Sequence, residues 1–77
     1  MEEAVAMLVR SLVRHPDAVE VRAVPRDGKT TIIEIQVVDA DMGPLIGRQG
    51  RTIRALRTIF DAISRKHHHR FILEIVE

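Results

Sequence analysis

Apolar residues recur along this chain with two periods, and the switches between them mark out its elements. Val5, Leu8, Val9 and Leu12 follow an i, i+3, i+4, i+7 spacing with Glu3, Arg10 and Arg14 opposite, which predicts an amphipathic helix over residues 2–14 ended by Pro16. From Val19 the period becomes two. Val19, Val21 and Ala23 alternate with Glu20 and Arg22, and Thr31, Ile33, Ile35 and Val37 alternate with Glu34 and Gln36. Arg26-Asp27-Gly28-Lys29 between them is a hairpin signal, so these two strands are expected to pair antiparallel. Asp39-Ala40-Asp41 supplies caps for a short helix over residues 42–46, in which Pro44 is admissible because it falls in the first turn. After Gly47–Gly50 the helical period returns over residues 51–66. Ile53, Leu56, Ile59, Phe60 and Ile63 fall on one side of that helix, Arg51, Arg54, Thr58, Asp61 and Arg65 on the other, and Arg57 at the boundary. Phe71, Leu73 and Ile75 share one face of a last strand.

The resulting order is helix, strand, strand, helix, loop, helix, strand, an α+β chain without repeats or low-complexity tracts. The strand, helix pair, strand unit is long enough for a crossover connection. By parity Ile32, Val38, Ile72 and Val76 lie on the face away from the helices, and an apolar outer face marks a protein contact.

Composition narrows the chemistry. At 77 residues the chain is expected to be a single domain over 1–77, and with no cysteine it has neither disulfides nor thiolate metal sites. Phe60 and Phe71 are the only Phe, Tyr or Trp residues, which removes the stacking platforms of other single-strand binders. The net charge of +1 is uninformative until it is mapped. Arg48, Arg51, Arg54, Arg57, Arg65, Lys66 and Arg70 face a single acid, Asp61, in that stretch, whereas most acids fall between Glu2 and Asp41. No apolar run approaches spanning length, and Met1-Glu2-Glu3 does not suit a signal peptide, so a cytoplasmic location without membrane contact is expected.

The candidate chemistry lies in Leu45-Ile46-Gly47-Arg48-Gln49-Gly50-Arg51-Thr52-Ile53. Two glycines permit unusual backbone angles and close approach of a ligand, while Arg48 and Arg51 place cationic donors beside it. Gly50 leads into a helix whose N-terminus favours anions. Paired glycines around a cationic-polar pair are more than a helix stop needs.

Ile46-Gly47-x-x-Gly50-x-x-Ile53 resembles the signature of KH domains, whose GXXG loop clamps about four nucleotides by their backbone. The whole chain is similar to the small bacterial single-KH-domain RNA-binding proteins of the KhpA type. That resemblance implies a type II KH fold, α-β-β-α-α-β, with a three-stranded mixed sheet and all helices on one face. It implies that Gly47, Arg48, Gln49 and Gly50 contact the backbone of single-stranded RNA; the charge run that follows is either a solvated helix face or an extension of that track through Arg51 and, after it, Arg54 and Arg57. It also implies an apolar groove with Leu45, Ile46 and Ile53 as floor and Ile33 or Ile35 contributing from the second strand. Pro44 departs from relatives that carry a basic residue there. Binding through so small a site should be weak and loosely selective, about micromolar for one module. The implied role is that of an RNA chaperone or post-transcriptional regulator, acting as a homodimer or with a larger KH-domain protein, with no cofactor and no small-molecule substrate.

Lys66-His67-His68-His69-Arg70 invites a metal reading, but adjacent side chains diverge on a helix and alternate on a strand, so the expectation is a basic loop between helix and strand, within reach of RNA, and no metal. Three rivals stand beside RNA binding. An enzyme lacks support, since the carboxylates are scattered and Gly43-x-x-x-Gly47-x-x-Gly50 fits no nucleotide-binding glycine motif. A helix-turn-helix would use the same two helices but not the flanking strands. An interaction module with a vestigial loop would use the apolar outer face and Phe71.

Overall fold

The computed structural model describes residues 1–76. Its elements are α1 (Glu2–Arg10), β1 (Glu20–Asp27), β2 (Thr30–Gln36), α2 (Asp39–Ile46), α3 (Arg51–His67) and β3 (Arg70–Val76), with short 3-10 turns at Pro16–Ala18 and Arg48–Gly50. The α-β-β-α-α-β order is the expected one. β2 is central, antiparallel to β1 and parallel to β3, as a crossover through α2 and α3 requires. Odd-numbered strand residues face the helices: Ile33 and Ile35 are fully buried and Leu73 nearly so. They pack with Val5 and Val9 of α1, Leu45 of α2 and Leu56 and Phe60 of α3 into one core. All three helices therefore lie on one face of the sheet.

Several boundaries differ from the sequence reading, each for a local reason. α1 stops at Arg10, four residues short, because Ser11 Oγ donates to the Leu8 carbonyl at 2.6 Å and the Leu12 amide bonds back to Val9 at 3.0 Å, tightening the chain out of the α ladder. β1 runs on through Pro25, which an edge strand tolerates, and a register shift between Pro25 and Asp27 absorbs the irregularity. α2 begins at Asp39, so Pro44 lies in its second turn, and the residue before it, Val38, has no polar side chain to cap it. Val38 is consequently not on the sheet. On the open face the apolar residues that align are Val24, Ile32 and Ile72, one row across three strands.

Asp41 does not cap α2 either. Its side chain is completely enclosed and points back to the segment after α1, where Oδ1 accepts from the Arg14 amide at 3.1 Å and Oδ2 from the His15 amide at 2.9 Å. His15 Nδ1 lies 3.1 Å from Oδ2, a hydrogen bond when that nitrogen carries the proton. These amides would have continued the first helix; one carboxylate takes both, and so clasps the end of α1 to the start of α2. Burial alone would raise the Asp41 carboxyl, but the hydrogen bonds from the His15 side chain and the two amides outweigh it and hold the carboxyl below its ordinary value.

A carboxyl depressed in the folded state stabilises that state fully above its unfolded value, near 3.8, and loses the contribution as pH falls through the lower folded value. Asp41→Ala is expected to melt well below wild type at neutral pH and to show a flatter loss of melting temperature in acid. Thermal melts between about pH 2 and 7 check both; equal melting at neutral pH would remove the clasp from the account.

Candidate nucleic-acid interface

α2 ends where Gly47 leaves the helical region with φ 80° and ψ 169°, its amide still donating to the Gly43 carbonyl at 2.8 Å. Gln49 (φ 55°, ψ 27°) and Gly50 (φ 74°, ψ 17°) then turn left-handed, and α3 starts at Arg51. The two glycines are required for different reasons. A Cβ on Gly47 would lie 2.7 Å from the Thr52 Cβ and 2.8 Å from the Thr52 amide nitrogen, so the loop folds directly onto the first turn of α3. A Cβ on Gly50 would meet nothing nearer than 3.9 Å, and only its positive φ calls for glycine. Gln49 holds a left-handed angle without being glycine, which locates backbone strain at the tip of the loop.

The amides of Gly50 and Arg51 are used inside the turn, donating to Gly47 and Arg48 carbonyls. Two carbonyls of the loop are covered by Arg54, whose Nη2 donates to Gln49 O at 2.6 Å and whose Nε donates to Gly50 O at 3.3 Å. Arg54, expected on the ligand track, is exposed and braces the turn from the first turn of α3, its guanidinium covering two carbonyl oxygens of the loop. Arg48, Gln49 and Arg51 are exposed, and among the described residues Arg48 and Arg51 have no hydrogen-bonded or ion-paired side-chain partner. The positive end of the 17-residue α3, with no capping side chain at Gly50, points at the same place.

The apolar groove is assembled differently from the expectation. Leu45, Ile33 and Ile35 are all fully enclosed in the core, so they support the groove from behind and do not line it. Ile46 is exposed at 38% and Ile53 half-buried, and these two remain at the surface. The strand packed along the later turns of α3 is the edge strand β3. Ile53, Arg57 and Asp61, four residues apart, form one flank of α3. Arg57 Nη1 donates to the Leu73 carbonyl of the edge strand at 3.3 Å. A cavity of about 190 Å³ continues there between Arg57, Phe60 and Asp61 on the helix and Arg70 to Leu73 on the strand. The helical wheel put Arg57 at the boundary between faces; what it lacked was the knowledge that an edge strand lies across that boundary.

A glycine-flanked cationic turn between two helices is the arrangement that the motif implied, and comparison with known proteins gives the family. Residues 2–75 match the family described as KhpA/KhpB, KH domain. The chain belongs to that family. It is 43% identical over 77 residues to the RNA-binding protein KhpA of Aquifex aeolicus, covering all of this chain and 96% of that one. To the protein of the same name from Caldanaerobacter subterraneus subsp. tengcongensis it is 42% identical over 76 residues, 99% of this chain and 100% of the relative. The Chlamydia pneumoniae protein, also named RNA-binding protein KhpA, is 36% identical across 100% of this chain and 97% of its own length. No solved structure matches the chain.

The histidine run lies outside this family motif, and its rings diverge. His67 and His68 are exposed, while His69 Nε2 is 2.8 Å from the Thr31 hydroxyl and its ring is 4.8 Å from that of Phe71. Among the described residues no group of three His, Cys, Asp or Glu side chains is placed to hold a metal ion. Nor is any described helix long and apolar enough to cross a membrane.

The unequal demands on the two glycines make a sharp prediction. Gly50→Ala should cost about 1–2 kcal/mol, the penalty of a left-handed alanine. Gly47→Ala, in a region open essentially to glycine alone and against helix backbone, should cost more than about 3 kcal/mol. Denaturant unfolding of the two variants decides it, and equal losses would mean that the loop does not rest on Thr52.

Proposed function

We propose that this protein binds single-stranded RNA at the Gly47–Gly50 loop and acts as a small cytoplasmic RNA chaperone or post-transcriptional regulator. The observation that carries the reading is the state of the loop. Its carbonyls are covered by Arg54, its exposed cations Arg48 and Arg51 are unpaired among the described residues, and a helix N-terminus stands behind them. Such a surface favours an oxyanion chain and gives a neutral ligand nothing to hold. Relatives spanning the whole chain carry the name RNA-binding protein. Gly47, Arg48, Gln49, Gly50 and Arg51 take the phosphates; Arg54 shapes the loop. Ile46 and Ile53 offer an aliphatic surface to a base, backed by Leu45. The protein is a binding module without cofactor, and no step of catalysis is assigned to it.

Self-association, or pairing with a larger KH-domain protein, would use the seam between α1 and α3. Leu8 and Ile59 are exposed there at 37% and 45%, beside Leu12 and Ala55, around an apolar groove of about 300 Å³. Ile59, expected in the core, is therefore free for a partner. Ile59→Arg should shift a concentrated sample toward monomer in sedimentation; a wild type that is monomeric at high concentration would remove the homodimer.

Replacing Arg48 and Gln49 together by Asp tests the loop itself. Both side chains are exposed, so circular dichroism should be unchanged. Losing a charge-assisted contact and adding repulsion should weaken single-stranded RNA binding at least about tenfold at low salt. A folded double variant that binds like wild type would make the loop structural only.

A further inference from the structure

Cations collect a second time at the end of the molecule away from the glycine loop. α3 spans 17 residues, about 25 Å at 1.5 Å per residue, so its two ends are well separated. Three chain segments meet at the far end. Thr30 pairs with Arg70, whose amide donates to the Lys29 carbonyl at 2.7 Å, so the β1–β2 turn is fixed beside the start of β3. Ser64 ties in the helix: its carbonyl accepts from the His69 amide at 3.2 Å and its hydroxyl accepts from the Phe71 amide at 2.9 Å. The corner so braced carries Arg26, Lys29, Lys66, His67, His68 and Arg70, all at the surface.

The acids at this end do not pair with this charge: Asp27 is engaged by its own turn, accepting from the Lys29 amide at 2.8 Å, Glu2 and Glu3 open α1, at whose start Met1 and Ala4 line a groove with His67, and among the described residues none of the six side chains is in an ion pair. Complementing the negative end of α3 accounts for Lys66 and His67. It does not account for Arg26, left unpaired by the register shift in β1, nor for Lys29 and Arg70, which lie off the helix. His68 takes φ 53° at the position after the helix, where the chain turns toward β3.

We propose that this corner is a second RNA site, which holds the phosphates of a separate single-stranded segment while the loop, on the reading of its function as an RNA site, holds the first. A separate segment is indicated because the flank between the two sites does not continue the cationic track: Asp61 lines it, and the Arg57 guanidinium is committed to the Leu73 carbonyl. One chain would then present two stretches of RNA to each other.

The test uses the whole protein with Lys29→Glu and Lys66→Glu together, against a control of equal charge change on and just after α1, Arg10→Glu with Arg14→Glu. The probes are an oligonucleotide of about four residues, enough to fill one loop, and a long unstructured polyuridine strand. The corner variant should bind the short probe within about twofold of wild type. On the long strand it should lose about tenfold at low salt, its log–log salt slope should become shallower by about 1.4, and annealing of complementary strands should slow, while the control keeps wild-type behaviour. Unchanged affinity for the long strand, or an equal loss in the control, overturns the proposal. Failure of the loop reading has its own signature: the Arg48→Asp, Gln49→Asp variant would bind the short probe as wild type does, and the long-strand comparison would still report on the corner.

Discussion

The missing Cβ at Gly47 is the constraint on which the site depends. Because nothing projects from that residue, the chain leaving α2 can rest against the Thr52 backbone, and the second helix can begin within about five residues of the end of the first. So short a connection has no slack. The turn is forced left-handed at Gln49 and Gly50, its carbonyls are brought within reach of Arg54, and Arg48 and Arg51 are left facing solvent at a helix N-terminus. A larger residue at 47 would relax all of these at once. The shape of the loop, and with it the proposed recognition surface, thus follows from one close backbone contact more than from any single cation.

That contact is useful only if α2 itself is held still. α2 has eight residues, a proline in its second turn and no polar cap, so its intrinsic stability is low. Two tertiary interactions compensate. Leu45 is sunk completely into the core between the sheet and α3, and Asp41, one turn earlier, takes two amides of the segment after α1. An apolar anchor and a buried carboxylate on the same short helix fix both its depth and its rotation, and the loop inherits that precision.

Much of this was legible in the chain. Periods of two and near 3.6 separated the six elements in the right order, because each is amphipathic and packs by one face on a single core. The glycine spacing located the loop. What the sequence could not convey were choices made between elements. Asp41 reads as a cap because Asp near a helix start usually is one; its burial depends on where the end of α1 lies in space. Leu45, Ile33 and Ile35 read equally well as groove or core, and only the central place of β2 decides for core. Arg54 and Arg51 look alike on a wheel, yet the left-handed turn aims two carbonyls at one of them and none at the other. Ile59 carries the same apolar signal as Leu56 and Phe60, but the shallow α1–α3 seam leaves it nearly half exposed.

On the proposed reading, a loop of this size touching a few phosphates, without an aromatic platform, would reach about micromolar affinity, near −8 kcal/mol. A second cationic contact changes that balance even if it is poor by itself. Sequence-independent contacts to a nucleic-acid backbone have dissociation constants of about 0.1 mM or tighter, and a strand already held at the loop presents its next segment at an effective concentration of about 1 mM. The ratio of these two values is about ten. A corner that never captures RNA from solution would therefore still strengthen the grip on a long strand about tenfold, and would do nothing for a short one. Because the α3 rod keeps the two contacts about 25 Å apart, the gain requires RNA that can span or fold across that distance. Length and flexibility of the strand, not its bases, would then set which RNAs this protein retains.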